Sequence, residues 1–263
     1  MKLTPKKIHS KKKQGKKIVA LTAYDFPTAR ILDEVGVDIL MVGDSLAMVL
    51  LGHSNTRGVT LQDILYHTRP VAKAAKRALV VADMPYHSYR TPAEALRSAK
   101  LLTGDAGADA VKLEGGASIK AQVKKLIKKR IPVMGHVGML PQSVGSGKFR
   151  VYGRTASEAQ AILEDAKLLD RLGVFSIVLE CMPVGLARQV TKAVKCPTIS
   201  IGAGAFTDGQ ILVLHDILGI RSSVSPRFVR RYASLETNIK KAVQKYCADV
   251  RKKRYPSSKE SFQ

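Results

Sequence analysis

From residue 17 onward the chain alternates short β-rich runs with stretches of helical period, and this alternation limits its fold more than any other feature. The runs are KIVALTAY (17–24), DILMVGDS (38–45), ALVVADMP (78–85), DAVKLEGG (109–116), IPVMGHVG (131–138), SIVLEC (176–181) and PTISIGAG (197–204). Between them FPTARILDEVG, TLQDILYHTRPVAKAAK, TPAEALRSAKLLTGDAG and TASEAQAILEDAKLLDRLG repeat apolar residues every three or four positions. Thr60, Thr91 and either Thr155 or Ser157 stand where N-caps are expected. Repeated βα units predict a parallel sheet with helices outside it.

An eighth strand would have to come from QILVLHDILG (210–219), which starts only thirteen residues after the seventh run begins, too close for a normal crossover helix. Seven or eight units within about 200 residues predict a closed (β/α)8 barrel of the TIM type rather than a doubly wound sheet, because no GxGxxG follows the first run. The 263 residues then divide into a short helix within 1–16, a barrel core over 17–220 and a C-terminal helical segment over 221–263. A single α/β domain with extra terminal helices is expected.

The formal net charge of +23 raises nucleic acid, an anionic membrane surface or acidic substrates as partners. Its distribution weakens the first two. Residues 1–17 carry eight Lys and no acid, and residues 221–263 carry twelve Lys or Arg against three acids, which puts 17 of the 23 charges in the flanks. The chain has no Trp, and no helix-turn-helix, zinc-finger or RRM pattern is recognisable. We read the flanks as solvated basic helix faces and expect neither nucleic acid nor membrane as partner. No apolar run approaches the roughly 18 residues of a membrane span, and the lysine-rich start lacks the apolar core of a signal peptide, so a cytoplasmic location is expected. Cys181, Cys196 and Cys247 are odd in number, far apart and without a CxxC pair, which predicts inert thiols rather than disulfides or a zinc site.

Each β-rich run ends in polar groups or glycines at the same phase: Asp44 and Ser45, Asp83, Lys112 and Glu114, His136, Glu180, then Gly202 and Gly204. Singly, a strand-end Asp is more commonly a cap or turn former, a Glu near a Lys a solvated pair, and a His a structural hydrogen-bonding residue. Recurrence at six ends argues for function, because a parallel barrel brings all those ends to its carboxyl-terminal face, where barrel enzymes build their sites. Two Asp and a Glu without Cys form a hard oxygen set suited to Mg²⁺ or Mn²⁺. Asp44 and Asp83 can hold the ion, a bidentate 2-oxo acid can complete it, and Lewis-acid action on the keto oxygen would stabilise an enolate. Lys112 adds positive charge, and Glu180 is left for proton transfer. The Gly-rich SVGSGKFRVYGR (143–154) is either a water-excluding lid or a surface loop, and it lacks the GKS or GKT of a P-loop.

MVGDSLAMVLLGH, LYHTRPVAKAAKRALVVADMPYHSY, VKLEGG, IPVMGHVGMLPQSV, IVLECMPVGLA, SIGAGAFTDGQILVLHDILG and YPSSKESF together resemble the ketopantoate hydroxymethyltransferase family from residue 4 to residue 262. The resemblance implies a barrel of the phosphoenolpyruvate/pyruvate superfamily. It also implies transfer of a one-carbon unit from 5,10-methylenetetrahydrofolate to 3-methyl-2-oxobutanoate, giving 2-dehydropantoate and tetrahydrofolate on the way to pantothenate. By matching position, Asp44 and Asp83 are implied as Mg²⁺ ligands that also touch substrate, Ser45 and Lys112 as substrate contacts, and Glu114 as a third metal-associated carboxylate. His136 is implied as a hydrogen-bonding site residue and Glu180 as the proton acceptor. The family implies homo-oligomeric rings, commonly decamers. Ala47, NTRGVT (55–60), Leu140, Lys259 and Glu260 depart from its pattern without removing a ligand or the base. The alternatives are another Mg²⁺-dependent 2-oxo-acid lyase or mutase on the same barrel, whose KKCGH-type loop is missing, and a basic nucleic-acid-binding protein.

Overall fold

The computed structural model describes residues 2–144, 150–220 and 226–262. Helix α1 (Pro5–Lys13) precedes β1 (Ile18–Thr22), α2 (Phe26–Glu34), β2 (Ile39–Val42), the single turn α3 (Leu46–Val49) and α4 (Leu61–Ala74). Then come β3 (Leu79–Asp83), α5 (Pro92–Lys100), β4 (Ala110–Lys112), α6 (Lys120–Lys128), β5 (Val133–Gly138), the short α7 (Pro141–Val144) and α8 (Ala156–Leu172). Next are β6 (Ser176–Glu180), α9 (Val184–Ala193), β7 (Thr198–Ile201) and β8 (Gly209–Leu212). The eight strands close in sequence order into a barrel, every neighbouring pair parallel, with β8 returning to β1 at Ile18↔Gly209.

The chain separates into two compact units, Met1–Val213 and Leu214–Gln263. The second holds α10 (Leu214–Leu218), α11 (Leu235–Arg251) and a 3-10 turn at Ser258–Glu260. That turn is closed by Ser257, whose N–H and hydroxyl both donate to Glu260, at 2.9 and 2.7 Å. Helix α11 buries no residue, and Ile239, Val243, Tyr246 and Val250 stand exposed along it at helical spacing.

Local sequence explains most boundaries. Thr60, Thr91 and Thr155 cap α4, α5 and α8, each accepting the backbone N–H three residues on, so Thr155 and not Ser157 is the cap. The eighth strand sits one residue earlier than QILVLHDILG begins, and the second half of that segment is α10. No helix lies between β7 and β8; residues 202–208 make the return unaided. Gly209 permits it, since a Cβ there would lie 2.5 Å from the Ile18 carbonyl oxygen, closer than any side chain tolerates.

The amino-terminal mouth of the barrel overturns one expectation. Ile8 of α1 is fully buried in the cluster formed by Ile18, Ile39, Leu79, Met134, Ile199 and their neighbours. Lysines around it are engaged rather than merely solvated. Lys11 pairs with Asp38 at 2.7 Å, Lys2 with Asp109 at 3.0 Å and Lys12 with Asp208 at 3.1 Å. Those three acids each also accept the backbone N–H of an adjacent strand, Val19, Val80 and Thr198. The amino-terminal charge is thus a plug for the barrel floor, matched to acids that precede β2, β4 and β8. Lys13 and Lys16 remain exposed, as do most cations of α11.

Candidate active site

All the acids singled out at strand ends lie at the opposite, carboxyl-terminal face. Register decides this: Asp83 is the Cα partner of Lys112 across β3 and β4, and Gly138 is the partner of Glu180 across β5 and β6. Paired residues of parallel strands point to the same side, so the Lys112 ammonium reaches Asp83 Oδ2 at 2.7 Å and Glu114 Oε1 at 3.4 Å. Asp44, just beyond β2, donates its backbone N–H to Asp83 Oδ2 at 3.2 Å. His136 lies between two carboxylates, Nδ1 3.4 Å from Glu114 and Nε2 3.1 Å from Glu180. Its N–H directions miss the oxygens, so these contacts are electrostatic rather than aligned hydrogen bonds.

Six of the seven expected residues therefore form one connected buried network. Ser45 joins it through sequence: it follows Asp44, is partly exposed, and its hydroxyl lies 2.8 Å from that of Tyr24 instead of capping α3. Glu180 is pinned by its backbone. Its carbonyl accepts from Met139 N–H at 2.9 Å, and the next residue, Cys181, has a left-handed φ of 47°, a conformation that costs a non-glycine residue energy and marks a constrained site. The Cys181 thiol is pushed up to about 12 by burial and the nearby Glu180 charge, which leaves it protonated and inert.

The charges do not balance. Burial and the Asp83 charge push the Asp44 carboxyl well above the ordinary carboxylate range. Burial also raises Asp83, with Lys112 pulling the other way. Burial would lower Lys112, but Asp83, Glu114 and Asp44 outweigh it and hold the ammonium charged. Burial would likewise neutralise His136, yet the two carboxylates raise it to about 9, so it is an imidazolium at neutral pH. Glu114 is lowered against its burial, chiefly by Lys112. Four carboxyl groups thus share the site with two cations, and the raised Asp44 and Asp83 reflect the cost of ionising all four where uncompensated charge is expensive. Asp83 Oδ1 is buried without a hydrogen-bond partner. A divalent cation fits both observations. Among the described residues no three His, Cys, Asp or Glu side chains form a metal cage of their own, so an ion here would rest on one or two carboxylates with water and substrate completing it, a mode open to Mg²⁺.

Three participants were not picked out from the sequence. Gln142 on α7 is almost fully buried and bonds Asp44 and Glu114. Tyr89 bonds Gln142, and Tyr24 bonds Ser45. Tyr24 ends the first β-rich run at the phase of the other polar ends, which is a usable signal; Gln142 carries none, since a Gln after Pro reads as a loop. The segment 143–154, read from the sequence as either a lid or a surface loop, includes residues 145–149, which lie outside the described residues. Beyond them Arg150 pairs with Glu158 at 2.8 Å and Tyr152 N–H donates to the Cys181 carbonyl at 2.8 Å.

The profile of the family described as ketopantoate hydroxymethyltransferase matches residues 2–258. The chain belongs to the ketopantoate hydroxymethyltransferase family. Among family relatives, the 3-methyl-2-oxobutanoate hydroxymethyltransferase of Syntrophus aciditrophicus is 49% identical over 263 residues, covering 99% of this chain and 97% of that protein. The enzyme of the same name from Pyrobaculum islandicum is 55% identical over 241 residues, covering 91% and 92%. Solved structures outside the family share the fold. A phosphonopyruvate hydrolase superposes with a TM-score of 0.65 at 11% identity, covering 99% of this chain and 93% of that one. A 2,3-dimethylmalate lyase, described as a PEP mutase/isocitrate lyase superfamily member, gives 0.61 at 15%, covering 100% and 90%. These likenesses show a shared closed parallel barrel.

Proposed function

We propose that this chain transfers a hydroxymethyl group from 5,10-methylenetetrahydrofolate to 3-methyl-2-oxobutanoate, with water, giving 2-dehydropantoate and tetrahydrofolate in the route to pantothenate. Family membership supports the reaction class, and one observation carries the reading at this site: separated strand ends converge on one buried network that sets four carboxyl groups against Lys112 and His136. Mg²⁺ held by Asp44 and Asp83, with Glu114 as an associated carboxylate, would supply Lewis-acid polarisation of the keto oxygen.

The remaining roles belong to the chain itself. Lys112 binds the anionic oxo acid and offsets charge that develops on its oxygen, with Ser45, Asp44 and Asp83 around it. Glu180 takes the proton from C3, and that carbon bonds to the one-carbon unit as its two C–N bonds to the folate break; water supplies the hydroxyl group, and its remaining proton together with the one from C3 balances the two N–H groups of tetrahydrofolate. The imidazolium of His136, 3.1 Å from Glu180 Oε2, holds that carboxylate by charge attraction rather than by an aligned hydrogen bond. The free thiols Cys181, Cys196 and Cys247 suit the cytoplasm, a reducing compartment, and the exposed apolar spacing on α11 suits a homo-oligomer such as the decamer the family resemblance implies. No helix among the described residues is long and apolar enough to cross a membrane.

The test is product formation by the purified chain. The two products should appear in equal amounts with both substrates and Mg²⁺, vanish with a chelator and return when Mg²⁺ is restored. Turnover of a 2-oxo acid without folate would instead favour a lyase or mutase.

A further inference from the structure

We infer that Gln142 is a positioning residue that fixes the Asp44 carboxylate for its cation, held in place by Tyr89 on one side and Arg57 on the other; this rests on the function proposed above. The Gln142 side chain donates from Nε2 to Asp44 Oδ2 at 3.2 Å and to the Met84 carbonyl at 3.1 Å. Its Oε1 accepts from the Tyr89 hydroxyl at 2.7 Å. Two acceptors at one end and a donor at the other permit one amide orientation only, since a flipped amide would set oxygen against carboxylate. A Glu in its place would add a further carboxyl group to a site that already holds four.

The backbone makes the second half of the device. Gln142 N–H donates to Glu114 Oε2 at 3.0 Å, so one residue of α7 ties the end of β2 to the end of β4. Arg57 donates to the Gln142 carbonyl from Nε at 2.7 Å and to the Ser143 carbonyl from Nη2 at 3.0 Å, with its guanidinium carbon 4.5 Å from the centre of the Tyr86 ring. Arg57 lies in NTRGVT (55–60), and clamping α7 is what its side chain does here. Gln142 is not filling a packed core. With Tyr86, Tyr89, Glu114, Ile119 and Gln122 it lines a cavity of about 220 Å³, so its polar contacts, not its volume, account for its place.

The measurement is Mn²⁺ binding to the full chain by electron paramagnetic resonance of the free ion, without substrates, for wild type, Gln142→Leu and Tyr89→Phe, each with its melting temperature. Loss of a partner that orients a ligand carboxylate weakens metal binding by about 10- to 100-fold, and this is expected of Gln142→Leu. Tyr89→Phe, which frees the amide without removing it, should weaken binding by about five-fold. In steady state both should raise the half-saturating Mg²⁺ and the KM for the oxo acid more than they lower kcat at saturation. Folded Gln142→Leu with wild-type Mn²⁺ affinity would overturn the inference, whatever its melting temperature. Should that variant not fold, wild-type affinity in Tyr89→Phe would do so. Failure of the wild type to bind Mn²⁺ would overturn the metal reading beneath it and the inference with it.

Discussion

Replacing Lys12 by Met tests whether the amino-terminal lysines hold the barrel floor or merely cover it. The Lys12 ammonium donates to the carbonyls of Thr191, Val194 and Cys196 at 3.1, 3.0 and 3.0 Å, and pairs with Asp208 at 3.1 Å. Hydrogen bonds from a charged donor contribute about 1.5–3 kcal/mol each. The sum does not apply, because the side chain keeps 18% of its exposure and water can replace part of what is lost. We expect a loss of about 3 kcal/mol, mostly from carbonyls left unpartnered between the end of α9 and β7 and from the ion pair with Asp208, which keeps its bonds to Thr198. For a chain of this size that lowers Tm by about 6–12 °C. Lys13→Met, on the exposed side of the same helix, removes the same charge and should stay within about 0.5 kcal/mol of wild type. Thermal unfolding followed by circular dichroism reads both. Equal melting temperatures for the two variants would refute the plug and restore a plain solvated basic face.

Two further perturbations follow from single residues. Asp33 of α2 accepts backbone N–H groups from Lys76, Arg77 and Ala78, the last at 2.6 Å. Burial would raise its carboxyl, but those donors, led by Ala78, hold it below 3.8. Because the folded state binds this proton less readily than the unfolded chain, its contribution is complete above the unfolded value and is lost as pH falls through the lower folded one. Asp33→Asn should therefore destabilise by about 2 kcal/mol at pH 7, and denaturant titrations should find the gap closing below pH 4; a gap that widens on acidification would contradict the sign. Gly138→Ala places a Cβ 2.3 Å from the Glu180 carbonyl oxygen at a residue with φ of 97°. We expect about 3 kcal/mol of destabilisation and a fall in kcat larger than any rise in KM, and normal turnover in that variant would show that the β5–β6 contact does not set Glu180.

The strands of the barrel were legible because both-face burial leaves continuous apolar runs, and the site because each run stops at a group that is costly to bury. Asp44, Asp83, Lys112, Glu114, His136 and Glu180 share that signature. What stayed hidden has physical reasons too. Helix α1 is so rich in Lys that its one buried residue, Ile8, makes no period, and its partners Asp38, Asp109 and Asp208 look like ordinary turn formers. The short return from β7 to β8 escapes a reading that expects a crossover helix, since only the missing side chain of Gly209 makes room for it. Gln142 and Arg57 act through backbone carbonyls and an amide, contacts that depend on tertiary approach and leave no spacing pattern along the chain.

The central claim is that distant acids assemble one cation-dependent site that draws a proton from a small oxo acid. Loss of deuterium from C3-labelled 3-methyl-2-oxobutanoate into water, followed by NMR without folate, tests it most directly. Wild type with Mg²⁺ should exchange, and both chelation and Glu180→Gln should reduce exchange by at least about 100-fold. Exchange that persists at the wild-type rate in folded Glu180→Gln, or without any divalent ion, would contradict the account.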